Sequence, residues 1–234
     1  TQRFQNGLGP GARSKVIHMP FINRRQISLA LATSLAGVGL AQAQGFQEGI
    51  EYITLDQPMT TDVGPGKIEL IEFFWYSCPH CNAFEPSFKQ WIERQPKDVV
   101  IKRVPVRFRD DFEPQQRMHY VLEAMGKLEA LHGRLFQAIH VERLTLNNAE
   151  QLAQWAQKQG IAKSDFDQAY QSFSVVSKAR RATQLQQAFK VQGVPSLGIA
   201  GRYYTDGSLA GGMARALQIV DALIAEERNR VRKK

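Results

Sequence analysis

The chain has 234 residues, 43% hydrophobic and 22% charged, which allows one sizeable folded unit or two small ones around a real core and excludes disorder as the default. The formal net charge of +8 points toward nucleic acid, but Arg3, Arg13, Lys15, Arg24 and Arg25 all precede residue 44, in a stretch without a single acid. Beyond it 25 basic face 22 acidic side chains, a net of +3 that includes the terminal RNRVRKK; this describes a solvated surface and argues against nucleic-acid binding.

In chain order, residues 1–18 are rich in Gln, Gly and Asn and do not begin with Met, so they read as an upstream, non-native segment. Residues 19–43 then have the order of a secretory signal peptide: the basic MPFINRR, the apolar QISLALATSLAGVGL, and the small-residue site Ala41-Gln42-Ala43, with cleavage expected after Ala43. The apolar part, about 14 residues, is short of the about 20 needed to span a bilayer. Arg24-Arg25 fits an ordinary Sec signal better than a twin-arginine one, because a charged n-region carries basic residues in either case.

Past the signal, GKIELIEFFWY reads as a strand apolar on both faces, the pattern of a central strand covered by helices. Glu72 is odd there, since it shares a row with Ile68, Leu70 and Phe74 and should lie in or near the core; the alternative is a strand-end acid that reaches water. A helix follows in CNAFEPSFKQWIERQP, with Phe84, Phe88 and Trp91 or Ile92 on one face. Pro79 suits its first turn, where the missing N–H has no partner to lose, whereas Pro86 lies inside and is expected to kink it. DVVIKRVPVRF is the next strand.

Between residues 107 and 175 strand signals vanish. Met118, Val121, Met125 and Leu128 keep helical spacing, NNAEQLAQWAQKQG opens on an Asn147…Glu150 capping-box pair and stops at Gly160, and SDFDQAYQSF is given Ser164 as its cap. An all-helical block is thus inserted in an α/β framework made of residues 44–106 and 176–234. After Gly193, VPSLGIAGRYY reads as two short strands turning at Gly201, and MARALQIVDALIAEE as an amphipathic helix through Met213, Leu217, Val220 and Ile224.

The only two cysteines, Cys78 and Cys81, stand between the central strand and its helix. A structural zinc site needs four ligands; there is one cysteine pair, and His119, His132 and His140 lack knuckle spacing and read as surface or helix-packing residues, so no metal is expected. A structural disulfide here would close too short a loop to stabilise folding much. A redox pair accounts for the spacing physically. At a helix start the Cys78 sulfur meets unpaired N–H groups and the positive end of the dipole, which favour a thiolate, while Cys81 sits one turn further in and His80 can add positive charge.

EFFWYSCPHCNAFEP resembles the active-site strand and helix of the DsbA family of periplasmic disulfide oxidoreductases, and the likeness runs from the signal peptide to GVPSL and the closing strands. The resemblance implies a thioredoxin-like fold with an inserted helical domain and a catalytic Cys78-Pro79-His80-Cys81. It implies a cis bond at Val194-Pro195, where residues alone would suggest trans, with substrate bound around these two residues. It also implies buried charges at Glu72 and Glu85, either of them a candidate proton acceptor for Cys81. Where family members often carry lysine on the neighbouring strand, this chain has Arg103, with Lys102 adjacent; arginine does not readily release a proton, which puts a relay on that strand in question.

By the same resemblance the enzyme oxidises exported proteins with free cysteines, uses no cofactor beyond its own disulfide, and is reoxidised by a DsbB-like quinone-linked membrane protein. No dimerisation segment stands out, so a monomer is expected. Two rivals remain: a periplasmic reductase or isomerase on the same scaffold, and a non-catalytic peptide-binding chaperone in which the sulfurs are incidental.

Overall fold

The computed structural model describes residues 45–232; the expectations for residues 1–18, for the signal at 19–43 and for its cleavage after Ala43 lie outside them. Strand β2 (Ile68–Phe74) is buried along its whole length, as its apolar rows require. It pairs in parallel with β3 (Val99–Pro105) and antiparallel with β4 (Ser196–Ile199), and β4 continues to β5 (Tyr203–Asp206) and the two-residue β1 (Ile53–Thr54). The sheet order is β1-β5-β4-β2-β3.

β4 and β5 are joined through a tight turn closed by the Arg202 N–H donating to the Ile199 carbonyl, with Ala200 and Gly201 at its centre, both at positive φ (53° and 63°), as a type I′ turn requires. A Cβ on Gly201 would also come within 2.3 Å of the Met59 carbonyl oxygen. Gly198 in β4 has a different reason: the Phe189 ring lies where its Cβ would be.

The two faces of β2 are covered differently. Ile68 and Leu70 pack against helix α1 (Pro79–Glu93), through the stacked rings of Phe84, Phe88 and Trp91, and against Leu217, Val220 and Ile224 of α8 (Met213–Arg232). The Trp91 indole N–H donates to Asp221 Oδ1 at 3.0 Å and ties α1 to α8. On the other face Phe73 packs on Phe189. Each such fully buried side chain contributes about 1.5–3 kcal/mol.

The segment between β3 and β4 is helical: after a short 3-10 turn come α2 (Glu113–Ala124), α3 (Leu128–His140), α4 (Ala149–Lys158), α5 (Lys163–Gln171) and α6 (Phe173–Ala188), and the four-residue α7 (Gly207–Ala210) follows β5. Several local expectations change here. The run from Met118 to Leu128 is two helices, because Gly126 adopts φ 64° and ends the first. The cap of α4 is Asn148, one residue later than expected: its Oδ1 accepts from the Gln151 N–H, and the Gln151 side chain returns to the N–H of Asn147. Ser164 does not cap α5, which starts at Lys163 after Ala162. The 175/176 division falls in the first turn of α6, capped by Ser172. Pro86 does lie inside α1, as expected.

Candidate active site

Cys78 is the N-cap of α1, with extended backbone (φ −80°, ψ 118°), and Pro79 is the first helical residue. This follows locally from the sequence: β2 ends at Phe74, the Cys78 N–H donates to the Trp75 carbonyl to close a turn, and proline starts the helix. The Cys78 sulfur accepts the Cys81 N–H at 3.4 Å, the bond a serine or aspartate makes at other N-caps. Pro79 and His80 are exposed, Cys78 is 7% exposed and Cys81 fully buried. Both thiols are free, so the structure describes the dithiol form.

The Val194–Pro195 peptide is cis and brings the Val194 carbonyl to 3.4 Å from the Cys78 sulfur, whose S–H donates to it. A groove of about 370 Å³ leads away between His80, Val194, Pro195, Gly207 and Met213. A second cavity, about 430 Å³, shares Gly193, Asp206 and Ser208 with it but touches neither His80 nor Pro195.

The electrostatics separate the two sulfurs. The Cys78 thiol is lowered to about 6, first by its hydrogen bond with the Cys81 side chain, then against burial by the N–H groups of Cys81 and His80 and by the His80 charge. Cys81 is pushed up, first by burial and then by Cys78, with the Glu72 charge adding to it. One sulfur is therefore a ready thiolate and leaving group, and its neighbour keeps its proton.

This difference makes stability pH-dependent. A depressed thiol pKa contributes stability to the folded dithiol form that is full above the unfolded thiol range and is lost as pH falls through about 6. The disulfide form lacks this contribution, whereas Glu72 titrates in both forms. Urea unfolding of both forms should therefore show the stability of the reduced relative to the oxidised protein falling steadily from pH 8.5 to 5. A difference that stays flat over that window would count against a stabilised Cys78 thiolate.

Glu72 is buried, 1% exposed, and sits opposite Arg103 in the β2/β3 register. Side chains alternate along a strand, so Arg103 turns to this face and Lys102 to the other, where it pairs with Glu69 and Asp62. The Arg103 guanidinium makes a two-toothed contact with Glu85 of α1 (Nη1–Oε2 2.5 Å, Nη2–Oε1 2.9 Å), stands 3.2 Å from Glu72 Oε2, and lies over the Phe88 ring. Burial, only partly offset by Arg103, pushes Glu72 up to about 8. Burial also opposes ionisation of Glu85, but the two hydrogen bonds and the charge of Arg103 outweigh it and its carboxyl is lowered. Arg103 thus serves two acids and is charged throughout, which suits it to compensate charge rather than pass protons.

Of the two readings of the histidines, helix packing holds for His119 of α2 and His132 of α3: both are buried and reach the hydroxyl of buried Tyr76, His132 Nδ1 at 2.9 Å and His119 Nδ1 at 3.3 Å. His140 Nε2–H donates to the Tyr76 carbonyl at 2.7 Å, and Gln115 of α2 accepts the Ser77 N–H and donates to its hydroxyl. The helical segment thus pins the turn that carries Cys78. One signal was present in the sequence: His132 lies on the apolar stripe of Leu128, Leu131, Leu135 and Phe136, so it had to face a neighbour.

Residues 69–223 match the family described as DSBA-like thioredoxin domain. The thiol:disulfide interchange protein DsbA of Bordetella parapertussis is 42% identical over 200 residues, 85% of this chain and 93% of the relative. That of Pseudomonas aeruginosa is 38% identical over 205 residues, 88% and 96% of the two chains. The crystal structure of P. aeruginosa DsbA superposes with a TM-score of 0.76 at 37% identity, covering 81% of this chain and 98% of that one. The family match runs from within β2 into α8, takes in both cysteines, cis-Pro195 and the buried cluster of Glu72, Glu85, Arg103 and His132, and is sustained by relatives at 38–42% identity: the chain belongs to the DsbA family of thiol:disulfide oxidoreductases, built on the thioredoxin-like fold.

Proposed function

We propose that the protein is a dithiol oxidase that introduces disulfide bonds into newly exported proteins in the periplasm, acting as a monomer through Cys78, Pro79, His80 and Cys81, with no cofactor other than its own disulfide. The observation that carries this reading is the unequal pair of sulfurs at the α1 N-terminus: stabilising the Cys78 thiolate stabilises the reduced enzyme and so makes its disulfide a strong oxidant.

In the oxidised enzyme a substrate thiolate attacks Cys78 Sγ, the Cys78–Cys81 bond breaks, and the Cys81 sulfur leaves and takes up a proton. A second substrate thiolate then attacks the substrate sulfur of the mixed disulfide and expels the Cys78 thiolate. Two electrons have moved from the substrate dithiol to the enzyme pair. A DsbB-like quinone-linked membrane protein would take them onward. The groove beside Val194 and cis-Pro195 binds the extended substrate segment. Glu72, or Glu85 through the buried charges, accepts or returns the Cys81 proton. The helical insertion, residues 107–175, roofs the domain formed by residues 44–106 and 176–234, and residues 19–43 direct export.

Equilibration of residues 44–234 with glutathione, followed by thiol alkylation of Cys78 and Cys81, tests the reading. The expected potential is strongly oxidising, on the order of 150 mV above thioredoxin; DsbA itself is the standard example of that gap, and the figure belongs to that relative. A potential close to thioredoxin's would reassign the protein as a periplasmic reductase or isomerase.

A further inference from the structure

We propose that His132, carried in by the helical insertion, is a positioning residue for the buried charges behind Cys81: its ring holds the Arg103 guanidinium in place between Glu72 and Glu85, so that packing of α3 decides how well Glu72 is compensated.

The geometry assigns the roles. Arginine only donates, so Arg103 Nη1–H donates to His132 Nε2. That leaves the ring proton on Nδ1, which donates to the Tyr76 oxygen, and the Tyr76 O–H in turn donates to His119 Nδ1. The groups facing His132 are thus Arg103 from β3, Glu85 from α1 with Oε2 at 3.5 Å, Tyr76 from the β2–α1 turn and His119 from α2. Burial lowers His132 and keeps it neutral, so it acts as acceptor rather than as a competing cation.

Arg103 is held unequally by its three acceptors. Glu85 takes two hydrogen bonds and His132 one, whereas Glu72 Oε2 lies at 3.2 Å without hydrogen-bond geometry. If the His132 acceptor is removed, the guanidinium can settle wholly on Glu85, and the contact with Glu72 is the one that lengthens. A less compensated carboxyl in a dry site holds its proton to higher pH. Because the Glu72 charge opposes ionisation of Cys81, the insertion would by this route set the charge that the buried thiol sees.

The test is a carboxyl carbon NMR titration of the oxidised full mature chain, with the Glu72 resonance identified by its loss in Glu72→Gln. In His132→Leu the Glu72 midpoint should rise by about one unit. In His132→Gln, whose amide oxygen can still accept from Arg103, it should return to within about 0.3 unit of the parent. Tyr76→Phe keeps the packing and removes only the oxygen that orients the ring; it should move the midpoint upward, and it provides the reading if His132→Leu does not fold. A midpoint that stays put in His132→Leu, or in Tyr76→Phe if His132→Leu does not fold, or one that the glutamine variant fails to restore, overturns the proposal. The consequence at Cys81 rests on the dithiol-oxidase reading, but the titration uses no substrate. Its failure leaves that reading standing, and a thioredoxin-like potential would leave the titration unaffected.

Discussion

Cys78→Ser is expected to bring oxidation of a reduced, unfolded substrate down to the uncatalysed rate, and Cys81→Ser to stop turnover at a different point. A serine hydroxyl at residue 78 can form no disulfide, so no mixed intermediate arises and the site beside Val194 can at most bind. With Cys81 replaced, Cys78 keeps its place at the α1 N-terminus, and when the variant is offered an oxidised substrate the Cys78 thiolate can still attack the substrate disulfide, forming a mixed disulfide and expelling the other substrate thiolate, but the neighbouring thiol that could attack that mixed disulfide is gone. Substrate should then accumulate covalently on Cys78, visible as a shifted band on a non-reducing gel and cleared by dithiothreitol. The rates are read by quenching with an alkylating agent and counting free substrate thiols. Retention of more than about a tenth of the activity by Cys78→Ser would rule out exchange chemistry and favour a peptide-binding role in which the sulfurs are incidental.

The second large effect is on stability. Arg103→Met should cost about 3–5 kcal/mol in urea unfolding at neutral pH, because it strands Glu85, which two hydrogen bonds now hold ionised, beside buried Glu72. Glu72→Gln should behave in the opposite sense, since Arg103 keeps Glu85 and one badly compensated acid is gone. A raised carboxyl pKa contributes stability that is full below the ordinary carboxylate range and is lost as pH rises through about 8. The glutamine variant should therefore match the parent near pH 4 and gain on it progressively up to about pH 8. Equal unfolding midpoints for parent and Arg103→Met would mean that the cluster is wetter than its burial indicates.

How much of this site could be read beforehand differs from residue to residue. The placement of Cys78, Pro79 and Cys81 was legible because it depends on a few adjacent residues: a two-faced apolar strand, a turn, and a proline that starts a helix. Glu72 was legible as an anomaly, an acid in an apolar row, although its partner was not. The two-residue β1 is too short to carry an alternating pattern. Gly126 was hidden because Met118, Val121, Met125 and Leu128 keep helical spacing across the break. Asn147 and Asn148 are both competent caps, and the choice falls on Asn148 because its side-chain oxygen accepts the Gln151 N–H while Asn147 offers only its backbone N–H to the Gln151 side chain.

By itself the sequence determines the chemistry of the cysteine pair, the main strands and helices, and which rows of side chains must be buried, since these follow from residue type, capping and period over stretches of about ten residues. Only the tertiary structure decides which charge meets which. Glu72 faces Arg103 through the register of two parallel strands, and His132 reaches both Arg103 and Tyr76 through the packing of a helix 29 and 56 residues away from them in the chain. Burial makes these contacts strong, and burial is created by neighbours from distant segments, so no local pattern can contain it.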